Sequence, residues 1–209
     1  NSHVSGHRFS DAWAKQQMLY FDIHFSREFE KYDLERDFDI TSTEPPFRIR
    51  HKDKIKAAFH FKVNKGDTLL VKCALSAVSE TGAWHNMESE IPHWDFDVVK
   101  KQAFESWDKE LSRIEIKGGT EEQRKIFYTA LYHCMIAPNI FNDAIGNYRG
   151  RDLQIHRAEG YDYYTVFSLW DTFRALHPLL TIIDKKRTLD FIRTMLLQYQ
   201  QGGLLPVWE

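Results

Sequence analysis

The chain has 209 residues, with 28 Lys and Arg against 30 Asp and Glu for a formal net charge of −2, and 14% of its residues are aromatic, six of them tryptophan. No dense basic run or interleaving of arginine with aromatic residues occurs, which argues against nucleic acid as a partner. No apolar run reaches the roughly 20 residues that span a bilayer. The N-terminus has neither the basic segment nor the apolar run of a signal peptide. Cys73 and Cys134 lie far apart inside apolar patterns, as two small buried thiols do, rather than as a disulfide framework. The chain starts at Asn1 without an initiator Met and stops at Glu209 directly after the apolar run GGLLPVW, so it reads as cut at both ends.

From Trp13 to about Ser79 the pattern alternates with period two or forms short β-rich runs: Met18–Phe25, Phe47–Arg50, Ile55–Val63 and Leu69–Ser76. Pro45-Pro46 marks a break or an edge. Asn64-Lys65-Gly66-Asp67 is a hairpin loop by composition, with Gly66 free to take positive φ. Successive strands with short turns predict an antiparallel sheet, most economically part of a β-sandwich. Ser79 to His93 loses the alternation, contains Gly82 and Pro92, and reads as a loop that closes the first domain.

From Asp95 the period becomes helical, with Val99, Ala103, Trp107 and Leu111 on one stripe and Asp95 or Asp97 as cap. Ile114-Glu115-Ile116 reads as a short strand-like exit and Gly118-Gly119 as a hinge. Thr120 and Gln123 form a capping box that opens a helix whose Phe127, Ala130, Leu131 and Cys134 face inward until Pro138. Asn142 to Asp152 is turn-rich, and its spacing does not fit a calcium-binding loop. A helix is predicted from about Ser168 to His177, with Pro178 near its end. Another runs from Thr188 to Gln201, with Leu189, Ile192, Leu196 and Tyr199 on its apolar face and Gly202-Gly203 as its stop.

The stretch YDYYTVFSLWDTFRALHP, Tyr161 to Pro178, is the most specific part of the chain. Asp171 and Arg174 lie three residues apart on one helical face beside Trp170, after the aromatic lead-in Tyr161, Tyr163, Tyr164 and Phe167. Rings that stack on C–H faces, a carboxylate that accepts and a guanidinium that donates suit a hydroxyl-rich ring such as a sugar. The bland alternative is a solvated ion pair over a core of aromatic residues. Other chemistries lack their patterns: there is no HExxH or CxxC zinc signature, no G-x-S-x-G elbow and no phosphate-cradling glycine loop. Paired carboxylates of glycoside hydrolysis remain, with Asp171 and Glu209 as candidates near the aromatic stretch.

The motifs GHRFSDAWAKQQMLYF, ALSAVSETGAWHNMESE, GGTEEQRKIFYTALYH, FSLWDTFRALHPLLTII and GGLLPVWE, in this order, resemble glycoside hydrolase family 92, the calcium-dependent, inverting exo-α-mannosidases. The resemblance implies the later part of an N-terminal β-sandwich over residues 1–93, a helical linker over 94–117, and the start of an incomplete (α/α)6 barrel over 118–209. It implies an enzyme that removes terminal α-linked mannose, often α-1,2, from glycans outside the cell or in the periplasm. The catalytic acid and base and the main calcium ligands are expected after Glu209, so this stretch alone is expected to hydrolyse nothing. Asp171, with Trp170 and Arg174, is implied to hold sugar hydroxyls, and Trp208 and Glu209 to belong to the barrel mouth. Another sandwich-plus-barrel glycosidase or phosphorylase, or a non-catalytic carbohydrate-binding module, are the competing readings.

Overall fold

The computed structural model describes residues 2–11, 16–37 and 54–208. The expected strand Phe47–Arg50 and Pro45-Pro46, together with Trp13, lie outside the described residues. The chain divides into two compact units, Asn1–Glu90 and Ile91–Glu209.

In the first unit, β1 (His3–Ser10), β2 (Gln17–Phe25) and β5 (Val71–Ser76) form an antiparallel sheet in the order β1-β2-β5, and β3 (Lys31–Asp37) pairs antiparallel with β4 (Lys54–His60). Period two sets the faces: along β2, Leu19, Phe21, Ile23 and Phe25 point to one side, and Tyr20, Asp22 and His24 to the other. Phe25 and Phe29 meet Phe59 and Phe61 with ring centroids 5.1–6.3 Å apart, joining the two sheets. Two sheets packed over aromatic side chains, followed by helices, make the sandwich-then-helix order expected from the sequence.

The hairpin expected at Asn64–Asp67 is corrected. A turn does form there, with the Asp67 N–H donating to the Asn64 carbonyl at 3.1 Å, but β4 pairs with β3 and β5 with β2. The chain therefore passes from one sheet to the other between Phe61 and Leu70. Local turn chemistry predicts the turn and says nothing about which strands pair across it.

The loop expected over Ser79–His93 is also corrected, because α1 spans Glu80–Glu90. The Ser79 hydroxyl caps it by accepting from the Gly82 N–H at 2.9 Å. Its buried residues are Gly82, Ala83 and Met87, and it packs on β5 and β2. A buried face built of one glycine, one alanine and one methionine leaves no amphipathic stripe to read, so burial against the sheet decides the helix.

In the second unit, α2 (Phe96–Leu111) is capped by the Asp95 carboxylate, which accepts from the Val98 N–H at 3.1 Å. The reciprocal capping box of Thr120 and Gln123 opens α3 (Glu121–His133) as expected. Leu131 is buried there and Phe127 half-buried, but Ala130 is exposed. None of the α2 stripe is buried; Trp107 lies 4.5 Å from the Tyr132 ring of α3 and keeps 37% of its surface exposed. Ile114–Ile116 lies outside any strand and is anchored by the Tyr128 hydroxyl on the Ile114 carbonyl at 3.2 Å. Both cysteines are free, and Cys73 is exposed rather than buried.

Beyond α3 come four short strands: β6 (Asn139–Ile140) paired with β9 (Tyr164–Thr165), and β7 (Asn147–Arg149) with β8 (Ile155–Arg157). The helices α4 (Leu169–Thr172), α5 (Leu176–Ile183) and α6 (Lys185–Gly202) complete the unit. The four apolar residues named from the sequence do share one face of the last helix, as α6 spans them. Leu189, Ile192, Leu196 and Tyr199 are 49–63% exposed. The buried residues of α6 are Asp190, Phe191, Thr194 and Gln198. Two of the polar groups are bonded as follows: Lys186 Nζ reaches Asp190 Oδ2 at 2.8 Å, and the Thr194 hydroxyl accepts from the Tyr164 N–H at 3.3 Å and donates to the Asp190 carbonyl at 2.8 Å.

Candidate functional site

The site grows from the core beneath it. Phe167 is 1% exposed and packs with Tyr164, Leu180 and Phe191. A second cluster holds Tyr148, Ala158 and Tyr163, with the Tyr148 and Tyr163 rings stacked at 3.8 Å. The aromatic lead-in is thus core, not ligand surface: Tyr163, Tyr164 and Phe167 are all buried. Burial pushes the Tyr161 and Tyr164 phenols above the ordinary tyrosine range. Arg193 sits 4.8 Å over the Tyr161 ring.

After Phe167 the chain turns outward. Val166 has φ +64°, a left-handed conformation that a β-branched residue adopts only at a cost of about 1–3 kcal/mol. That strain sits two residues before the exposed segment it presents. Ser168 pairs with Trp208 across an isolated antiparallel bridge, and the Leu169 N–H donates to the Val207 carbonyl at 3.0 Å. Two stretches singled out from the sequence, WDTFR and LLPVW, are therefore held side by side.

The single helix expected over Ser168–His177 is corrected to two. The four-residue α4 ends at Thr172, Phe173–Ala175 form a turn, and α5 begins at Leu176. Pro178 stands in the first turn of α5, where its missing N–H has no intrahelical acceptor to lose, so it belongs to the start of a helix and not its end. Arg174 consequently leaves the helical face of Asp171, and among the described residues no ion pair joins them. The Arg174 guanidinium lies 5.4 Å from the Phe173 ring centroid instead.

The partner of Asp171 is Ser168, whose hydroxyl donates to Oδ2 at 2.6 Å. That is a short, charge-assisted bond fixing an exposed carboxylate. Trp170 is 72% and Trp208 54% exposed. Glu209 lies outside the described residues. The result is an exposed segment, with an oriented carboxylate and the indole of Trp170, bridged through Ser168 to the strand end that carries the Trp208 indole. It can stack on and accept from a polyhydroxylated ring; by itself it pairs no acid with a base. A cleft of about 320 Å³ in the same unit, lined by Trp107, Glu110, Cys134, Tyr164 and Arg187 among others, includes none of the expected site residues.

Sequence reasoning overlooked Ser168 as the group that holds Asp171, although its position three residues before the aspartate is the spacing of a local side-chain contact. Among the described residues, no three His, Cys, Asp or Glu side chains gather to hold a metal ion, so no chemistry of calcium is assigned to them. No helix among them is long and apolar enough to cross a membrane.

A two-sheet unit is followed by a helical unit on which Trp170, Asp171 and Trp208 are exposed. Residues 82–209 match the model of the glycosyl hydrolase family 92 catalytic domain, and the chain belongs to that family. Among solved structures it is similar to the family GH92 alpha-mannosidase BT3965 of Bacteroides thetaiotaomicron, with a TM-score of 0.86 and 32% identity over 99% of this chain and 28% of that one. That protein has also been determined in complex with mannoimidazole. The family GH92 inverting mannosidase BT2199 of the same bacterium matches with a TM-score of 0.82 and 28% identity, again over 99% of this chain and 28% of that one. A curated relative, an uncharacterized secreted glycosidase of Arthroderma benhamiae, is 26% identical over 79% of this chain and 20% of its own length. The chain thus spans less than a third of these relatives.

Proposed function

We propose that the protein carrying this chain is an exo-α-mannosidase that removes terminal α-linked mannose from glycans, and that Ser168–Arg174 together with Trp208 holds the non-reducing sugar. The observation that carries the reading is the Ser168–Trp208 bridge, which sets the segment of the exposed Trp170 and Asp171 beside the exposed Trp208. It is supported by the likeness to an alpha-mannosidase structure determined with mannoimidazole.

The role of Asp171 is binding. Its Oδ2 is engaged by Ser168, and Oδ1 accepts from a sugar hydroxyl; a bond that tightens as the ring distorts favours the transition state over the bound substrate. The indoles exclude water from the ring faces. The general acid and base are supplied by groups other than those described. Hydrolysis with inversion and an α-1,2 preference form the finer part of the proposal, as does a calcium ion held outside the described residues. The inverting relative supports the stereochemical part. A periplasmic or extracellular site of action follows the secreted relative.

The test uses the full-length protein. Release of mannose from α-mannosides is expected, with the β-anomer appearing first by NMR, loss of activity in chelator and recovery with calcium. Asp171→Ala is expected to lower kcat/KM at least 100-fold while the fold persists. Absence of mannose release, or an Asp171→Ala enzyme with unaltered kinetics, overturns the reading; turnover of glucosides instead assigns the protein to another specificity.

A further inference from the structure

The turn-rich stretch that follows α3 includes a hairpin tip, Gly150 to Gln154, which joins β7 to β8 and meets the C-terminal end of α6. The tip is closed within itself: the Gly150 N–H donates to the Gln154 carbonyl and the Leu153 N–H to the Gly150 carbonyl, both at 2.9 Å, with Leu153 at φ +63°. The Asp152 carboxylate accepts from the Gln154 N–H at 3.0 Å and lies 2.9 Å from His156 Nε2. Such a tip presents its side chains from a fixed backbone.

Arg151 is the member that reaches out. Its N–H donates to Gln201 Oε1 at 3.3 Å, and the Gln201 amide donates to the hydroxyl of the buried Tyr148 at 3.3 Å, which ties the tip and the helix end to the core. The Arg151 side chain then lies along Gly202: a Cβ on that glycine would stand 3.3 Å from Arg151 Cβ and Nε. From there Nη1 donates to the Leu204 carbonyl at 3.3 Å. A cation at this point also meets the negative end of α6.

Leu204 opens the short return to Trp208. The far end of that return is held by the Leu169 N–H on the Val207 carbonyl and by the bridge from Trp208 to Ser168. At the near end Leu204 is 71% and Leu205 59% exposed, so packing contributes little and the guanidinium bond supplies the restraint. We infer that Arg151 is a positioning residue for sugar binding: it does not touch the sugar, but by holding the Leu204 carbonyl it sets where the Trp208 indole stands. That the indole meets a mannose ring rests on the function proposed above. An indole stacked on a sugar binds it in ground and transition states alike, so misplacing it raises KM and spares kcat. The effect of losing Arg151 is also bounded by the effect of losing the indole itself.

The experiment is steady-state kinetics of the full-length protein on an aryl α-mannoside. Arg151 is exposed, so its variants are expected to fold. Arg151→Met, which keeps the stem over Gly202 and removes the donor, is expected to raise KM about 2- to 5-fold with kcat within about twofold of the parent. Arg151→Lys, which restores one donor, is expected to bring KM most of the way back. Trp208→Ala is expected to raise KM about 3- to 10-fold. Adding Arg151→Met to Trp208→Ala should change KM by less than about twofold, because the indole it positions is gone. An additive double variant, a loss that falls on kcat, or an unaltered Arg151→Met enzyme overturns the inference. A second readout needs no turnover: with fluorotryptophan incorporated, the fluorine NMR line that Trp208→Phe removes should shift or broaden in Arg151→Met and return in Arg151→Lys. A line that stays in place overturns the inference even in an active enzyme, whereas a protein that moves the line but releases no mannose sinks only the proposed activity.

Discussion

Ser168 donates its hydroxyl to Asp171 Oδ2 at 2.6 Å while its backbone pairs with Trp208, so one residue both orients that carboxylate and ties its segment to that of Trp208. The two roles are separable by substitution, because the bridge uses only backbone groups.

Replacing Ser168 by Ala removes the hydroxyl and leaves the bridge. For the full-length enzyme kcat/KM on an α-mannoside is expected to fall about tenfold, the worth of one hydrogen bond to a charged group. The loss should fall mainly on kcat, because the Asp171 bond is the one that tightens as the ring distorts. Ser168→Thr, which keeps the hydroxyl, should recover most of it; no recovery assigns the effect to backbone disturbance.

Trp170 is exposed, so Trp170→Ala should leave the denaturation midpoint unchanged within about 0.5 kcal/mol. Affinity for mannoside, read by titration calorimetry, should drop about 3- to 10-fold through loss of ring stacking. A large loss of stability would show that the indole is packed and not presented.

Thr194 has no exposed surface, and its hydroxyl serves the Tyr164 N–H. Thr194→Val keeps the volume and strands that donor, at an expected cost of about 1–3 kcal/mol in urea denaturation. Thr194→Ser, which keeps the oxygen, should cost less.

Two groups make stability fall with acid, over separate ranges. Burial depresses the His177 pKa below its ordinary 6.5, so folding favours the neutral ring. That contribution is complete above pH 6.5 and is lost as pH falls through the lowered folded value. Glu110 is held below the usual glutamate range by hydrogen bonds from Arg113 and by the charges of Arg187 and Arg113. Its contribution is complete above about pH 4.3 and is lost on further acidification. Melting temperature against pH should therefore show an upper slope abolished by His177→Phe and a lower one reduced by Glu110→Gln.

Features encoded within a few residues were legible from the sequence, and those decided at a distance were not. The capping box at Thr120 and Gln123 needs only four residues and appears as written. The β2 strand, with strict alternation, is where it was expected. The helix over Glu80–Glu90 was invisible because its buried face is small and its remaining residues are polar; only the sheet beneath makes it a helix. The apolar face of α6 was legible from its period, whereas the buried Asp190, Thr194 and Gln198 on another face were not, because hydropathy does not report hydrogen bonds such as those to Tyr164 and Lys186. At the site, the residue types were readable, whereas the break after Thr172, which parts Arg174 from Asp171, follows from where Pro178 can sit in a helix.

Gly203 ends α6 with φ +79°, its N–H on the Tyr199 carbonyl at 2.7 Å, and a Cβ placed there would meet nothing within 4 Å. An alanine at this position would cost about 1 kcal/mol through the dihedral alone, with no clash to relieve. The direction in which Leu204 leaves α6 is thus set at an exposed torsion, before Arg151 bonds the Leu204 carbonyl and Leu169 the Val207 carbonyl. The path of Leu204 to Trp208 can be retuned by a residue that touches neither Ser168 nor Asp171.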